Sequence, residues 1–274
     1  MAINLHTDVT GAPFVEVFID ELVPEAASVT VYRIASGREF QVRGAVKAPT
    51  GGAFTRIDFE VPFNVPVTYR AELFDAAGES LGFTDSATTT LICEDTWMHN
   101  PLNPSGAVKV TLLDTAIKKV SRPVPGEVSY PLGRRVGVML SEPRRGLSGG
   151  VFDVLSSTLE DADKVQELIG SYARSLVPVI CVRVGSKNPM RVSMPLFLGV
   201  LDINEEDVSV RYGGQATVQR IEGDEVDPPI PGLFIPLLTR ADLNAFFATR
   251  AALNAGGLMR LDLNRRYDLA GTAG

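Results

Sequence analysis

The stretch VQRIEGDEVDPP, Val218 to Pro229, places four carboxylates, Glu222, Asp224, Glu225 and Asp227, within six positions. Clustered acids can hold a hard cation, or share a proton as an acid–base pair. The spacing of a calcium-binding loop is absent, however, and a glycine and two prolines are interleaved. Val218, Arg220 and Glu222 alternate with Gln219 and Ile221, as a strand requires. Gly223 then frees the backbone, and Pro228 and Pro229 stop further pairing. The stretch reads as a strand end whose acids hydrate the exit, not as a metal site.

Other candidate chemistry is incomplete. GLSGG, Gly146 to Gly150, has the spacing of a nucleophile elbow, which needs a strand before it, a helix after it and a later histidine. Here EPRR precedes, the β-type run VFDVLSS follows, and His6 and His99 both lie upstream. It reads as a glycine-rich loop. The two histidines are too far apart for a His-rich zinc site, and His99 reads as packing or capping a turn beside Trp97. No glycine cluster ends in the GK[ST] that cradles phosphate, and no dinucleotide fingerprint is present. Cys93 and Cys181 sit in apolar contexts and read as small core residues. No cofactor, metal or catalytic set is expected, and the chain reads as non-enzymatic.

The arginine pairs are more open. Arg134–Arg135 and Arg144–Arg145 flank VGVMLSEP, with Arg122 nearby. They suit solvated strand ends first, and as the sharper alternative a subunit interface or lumen-facing ring, since guanidinium pairs well with carboxylate and phosphate. Arg134, Arg135, Arg144, Arg145 and Trp97 are the candidate inter-subunit contacts.

These residues need elements to position them. The 274 residues, 45% apolar and 22% charged, suit two domains with ordinary cores. No apolar run reaches the ~18 residues that cross a bilayer. The start, MAINLHTDVTGAPF, lacks the basic end and apolar block of a signal peptide, so export by that route is not expected. The net charge is −7, and residues 1–93 hold 6 Lys and Arg against 12 Asp and Glu. An acidic chain with no basic stripe is a poor candidate for sequence-specific nucleic-acid binding.

Residues 1–93 show short period-two runs (FVEVFIDEL, SVTVYRIASG, RIDFEVPF, VPVTYRAELF) punctuated by Gly, Pro and Asp, which predicts a β-sandwich. In VTVYRI, Val29, Val31 and Arg33 share one face. Residues 94–106, EDTWMHNPLNPSG, read as a packed linker. Residues 107–274 read as a β-sandwich or barrel with helices near 158–176 and 240–253. Each helix opens with a Thr/Asp capping box, Thr158 with Asp161 and Thr239 with Asp242.

Two resemblances follow. VPVTYRAELFDAAG, with Tyr69, resembles fibronectin type III and immunoglobulin-like modules. From TWMHNPLNPSGAVKVTLLD onward, the order of motifs resembles the minor or distal tail proteins of long, non-contractile-tailed actinobacteriophages. RPVPGEVSYPLGRRVGVMLSEPRRGLSGGVFDVLSSTLEDADKVQELI, VPVICVRVGSKNP, LFLGVLDINEEDVSVRY, VQRIEGDEVDPP and TRADLNAFFATRAAL follow in turn. That resemblance implies a tail-tube-like β-sandwich with a flanking helix. It also implies a virion protein of the distal tail or baseplate, a ring of typically six copies around the DNA channel. Its expected partners are itself, the tail tube protein, the baseplate hub and other tail-tip proteins. The alternative is a module that binds the host surface or a carbohydrate, for which Phe14, Phe18, Tyr32 and Phe40 are the aromatic candidates.

Overall fold

The computed structural model describes residues 2–172, 175–208, 216–232, 240–247, 249–255 and 257. They are mainly β. The strands of the front module are β1 (Ile3–Asp8), β2 (Phe14–Ile19), β3 (Ser28–Ala35), β4 (Arg38–Gln41), β5 (Ala48–Pro49), β6 (Phe54–Asp58), β7 (Pro66–Phe74), β8 (Ser80–Phe83) and β9 (Ala87–Thr90). They make two antiparallel sheets, β1-β2-β6 and β4-β3-β7-β8, with β5 added to β3 and β9 to β7. Alternation sets what lies between them: Val15, Val17 and Ile19 from one sheet meet Val29, Val31, Val67 and Tyr69 from the other in one core. Arg33 continues the inward face of β3 and is fully buried. Its charge is matched there: Nη1 donates to Asp58 Oδ1, and the Tyr69 hydroxyl donates to Asp58 Oδ2 at 2.8 Å.

The second module contains β10 (Thr96–Asn100), β11 (Asn103–Leu112), β12 (Gly126–Ser129), β13 (Val138–Ser141), β14 (Gly150–Ser156), β15 (Val179–Arg183), β16 (Leu196–Gly199), β17 (Ile203–Asp207) and β18 (Thr217–Glu225). Residues 94–106 are therefore not a linker. Met98 points into the second core, while the buried polar residues His99 and Asn100 hide the alternation in the sequence. Asn100 is held there because its Nδ2 donates to the carbonyls of Leu168 (2.9 Å) and Val177 (2.8 Å).

Six of these strands run β14-β11-β10-β15-β16-β18, and pairing of β14 with β18 closes them into a barrel. Phe152, Val154, Ile180, Val182, Leu196, Leu198 and Ile221 fill it. One end receives α1 (Leu159–Gln166) and the 3-10 turn Glu167–Ile169, which insert Val165 and Leu168. Thr158 caps α1, accepting from the Asp161 amide at 3.1 Å. The helix expected to reach residue 176 stops at Gly170, whose φ of 109° suits glycine and turns the chain toward a bridge with Ser175. Near 240–253 there are two short helices, α2 (Arg240–Phe246) and α3 (Arg250–Ala255), instead of one. The expected cap Thr239 and residues 209–212, the end of the LFLGVLDINEEDVSVRY motif, lie outside the described residues.

The β15 run is apolar on both faces because both are covered. Ile180 and Val182 point into the barrel, whereas Cys181, with Val179 and Phe197, packs against Phe40 of the front module. Arg183 stacks 4.6 Å from the Phe63 ring and donates to the Pro13 carbonyl at 2.7 Å. Both cysteines are free thiols, Cys181 buried and Cys93 partly so.

Candidate functional site

A strand does end within the opening stretch, at Glu225, but Asp224 and Glu225 bind backbone amides where the sequence suggested only hydration. β18 continues to Glu225 because Gly223 lets it pass close to β16; a Cβ there would sit 2.5 Å from the Gly199 carbonyl oxygen. Asp224 Oδ1 accepts from the Gly149 amide (2.7 Å) and the Ser148 hydroxyl (3.0 Å), and Glu225 Oε2 accepts from the Leu147 amide (2.9 Å). Beyond them, Arg43 of the front module donates to the carbonyls of Pro229 (2.9 Å) and Ile230 (3.0 Å). The stretch thus latches GLSGG and straps the two modules together. Among the described residues, no three His, Cys, Asp or Glu side chains are grouped to hold a metal ion.

What the latch secures is an arm. Between β11 and β14 the chain leaves the barrel, and β12 and β13 pair only with each other, from Gly126↔Ser141 to Ser129↔Val138. The root is tied by the Ser121↔Ser148 bridge and by the Arg145 amide donating to the Pro123 carbonyl at 2.9 Å. At the tip the Arg134 amide donates to the Pro131 carbonyl at 3.1 Å, with Gly133 at φ 81°, a turn that needs glycine at its third position. Almost every side chain of the arm is exposed. Tyr130 is 70% exposed and Leu132 fully so, and Val128, Val136, Met139 and Leu140 are also open.

Residues 118–145 carry seven Lys and Arg against two Glu, a net +5 within a chain of −7. A basic stripe is present after all; counting charge over whole halves of the chain averaged it away.

Four of the five candidate contacts lie on this arm. Arg134 and Arg135 are exposed at its tip, beside Leu132. Arg144 and Arg145 are exposed at its root, where Arg144 Nε donates to the Arg122 carbonyl (3.3 Å) and Arg145 pairs with Glu142 (3.6 Å). The fifth, Trp97, is half-buried on β10, touches the front core and lines a separate groove.

That groove arises because β11 pairs with β10 along its length but meets β14 only at Thr111 and Leu112. The edge of β11 before those rungs is open. A cleft of about 560 Å³ follows it, lined also by Lys109 and Ser157, by Asp161 and Lys164 of α1, and by Glu167 of the 3-10 turn.

Between the modules lies a buried polar cluster that sequence reading did not assemble. Arg43 Nε donates to Glu60 at 2.6 Å, and Arg33 Nη2 lies 3.7 Å from the same carboxylate. Burial draws the Arg33 pKa down, but Asp58, Glu60 and Tyr69 outweigh it and hold the group above its ordinary value. Burial brings Arg183 down to about 10. His99 is fully buried, and neither ring nitrogen finds a hydrogen-bond partner among the described residues. Burial, and then Arg183, Arg43 and Arg33, hold its pKa well below the usual histidine range. With no exposed surface, His99 and Arg183 meet no dissolved substrate. The cluster fixes the two modules against each other.

The front aromatics do not gather into one patch. Phe40 packs on Phe197 (ring centroids 6.0 Å) inside the module interface, and Phe14 packs on Phe59 (5.4 Å). Tyr32 faces outward with Phe83 and Arg70, the Arg70 guanidinium lying 4.6 Å from the Phe83 ring. Comparison with protein families, curated proteins and solved structures found no match to this chain.

Proposed function

We propose that this chain is a non-enzymatic structural subunit of a phage virion, built into a closed ring at the distal end of a long tail. There it joins the tail tube to the tail tip and surrounds the DNA channel. In this reading the front module is a fibronectin type III or immunoglobulin-like domain, and the barrel with α1 is the tail-tube-like domain. The observation that carries it is the arm: a two-stranded hairpin, marginal alone in water, that displays apolar side chains no part of the described chain covers. Such a hairpin makes sense where another subunit completes it. A contact between two different faces of one subunit propagates into a ring when its rotation closes. The order of motifs from TWMHNPLNPSG to TRADLNAFFATRAAL supplies the phage-tail context and the expectation of six copies, with the tail tube protein and baseplate hub as neighbours.

Cryo-electron microscopy of the particle tests this directly. Density for the barrel in a ring about the tail axis, at the lower end of the tube, is the expected result. Absence of the chain from the particle sinks the reading.

The outward cluster of Tyr32, Arg70 and Phe83 favours a second role for the front module, contact with a host-surface carbohydrate, since exposed aromatic faces beside charged groups suit sugar rings. Removing the whole module would uncover Cys181 and Phe197, so the informative variant is Tyr32→Ala with Phe83→Ala. Intact tails that no longer adsorb support the role; unchanged adsorption rejects it.

A further inference from the structure

We propose that the interface between the two modules holds one small monovalent anion, chloride, bound by Arg183 of β15 and His99 of β10. Hydrogen bonding, charge and enclosure each lead to that ligand.

Hydrogen bonding comes first. Trp97 pairs with Arg183 and His99 with Cys181, so Arg183 and His99 leave the sheet on one face as diagonal neighbours, about 7–8 Å apart. Both are fully buried. Arg183 donates from Nη1 to the Pro13 carbonyl at 2.7 Å. Its Nε and Nη2, and both ring nitrogens of His99, find no partner among the described residues. Nε and Nη2 of a guanidinium carry three N–H groups, and a neutral imidazole carries one. Buried donors left unmet are destabilising, and such groups in native folds have a partner. One acceptor between the two side chains, about 3 Å from each, meets them together.

Charge decides between water and an ion. Three guanidinium groups lie at this interface. Arg33 is neutralised by Asp58, and Arg43 by Glu60. Arg183 has only the neutral Pro13 carbonyl and the face of the Phe63 ring, 4.6 Å away. The two buried arginines diverge accordingly: Arg33 stands above its ordinary pKa, whereas burial takes Arg183 down to about 10. Water meets the N–H groups and leaves the charge uncompensated; an anion answers both.

Enclosure fixes the size. Neighbouring Cys181 has no exposed surface either, and Phe63 covers the guanidinium face. That setting excludes a bulky ligand, and a single uncompensated positive charge asks for a single negative one. Chloride meets both conditions, taken up as the two modules close on each other.

The test is urea denaturation of the full chain, read by Trp97 fluorescence. Ionic strength is held at about 0.2 M while chloride is replaced stepwise by gluconate, which is too large to enter. A dissociation constant of about 10 mM makes folding about 20-fold more favourable in chloride, and the midpoint higher by about 0.5–1 M. Arg183→Met removes both the charge and the donors and makes the midpoint indifferent to chloride. Arg145→Gln, at an exposed position, keeps the wild-type response. Crystals grown in bromide show an anomalous peak between Arg183 and His99. Equal midpoints in the two salts overturn the site, as does an Arg183→Met chain that keeps the chloride response, because the ion then sits elsewhere. If Arg183→Met does not fold, the bromide crystals decide: anomalous peaks confined to the surface overturn the site.

Discussion

Asp58 holds together a buried charge network in the front module. It neutralises Arg33, accepts the Tyr69 hydroxyl at 2.8 Å and accepts the Glu60 amide at 2.9 Å, all without exposure to water. Asp58→Ala leaves a buried guanidinium without its closest counter-charge, which costs about 3–5 kcal/mol. Glu60 cannot take over: it stands 3.7 Å from Arg33 and is already bound to Arg43 at 2.6 Å. The orphaned Tyr69 hydroxyl adds about 1 kcal/mol. The sum, about 4–6 kcal/mol, is comparable with the whole stability of an ordinary domain. At a urea slope of about 2 kcal/mol per M, the midpoint falls by about 2–3 M. Trp97, the only tryptophan, packs against the front core, so its fluorescence reports the transition. Arg33→Met on the same background removes the stranded charge, and a double-mutant cycle should return a coupling of at least about 2 kcal/mol. A midpoint shift below about 0.5 M for Asp58→Ala, or no coupling, would refute the argument that this buried pair holds the module.

Three further outcomes are expected. His99 stays neutral in the fold while the unfolded chain protonates below about pH 6.5, so stability present above that pH is lost as pH falls toward the depressed folded value, by up to about 1.4 kcal/mol per unit. His99→Leu should flatten the denaturation midpoint between about pH 7 and pH 5; an unchanged slope shows that another group is responsible. Gly223→Ala, whose Cβ meets the Gly199 carbonyl at 2.5 Å, should cost about 1–3 kcal/mol in urea denaturation. Gly199→Ala, which meets only the Val226 side chain at 3.0 Å, should cost less, and equal tolerance of the two contradicts the close approach. Asp224→Ala with Glu225→Ala should speed amide exchange at Leu147 and Gly149 by about tenfold or more, while Ile180 and Val182 keep their protection; unchanged exchange at the two loop amides rules out the latch.

Local pattern carried much of the architecture. Period-two alternation located β2, β3 and β7 and placed Val29, Val31 and Arg33 on one face, because side-chain direction in a strand depends only on the chain's own pleat. The capping box at Thr158 marked the start of α1, since its hydrogen bonds span three residues. Missing partners could also be read: Ser148 has no later histidine to act on it. Closure of the barrel, by contrast, depends on β14 meeting β18 across more than sixty residues, and no local rule encodes that. The same holds for the reach of Asp224 and Glu225 to GLSGG, for Arg33, Arg183 and His99 sharing one buried region, and for the gap between β11 and β14. The sequence by itself determined the faces of the alternating strands of the front module and the start of α1. Tertiary pairing alone decided which faces are covered twice, which carboxylates bind amides instead of water, and that one basic, apolar hairpin is left outside.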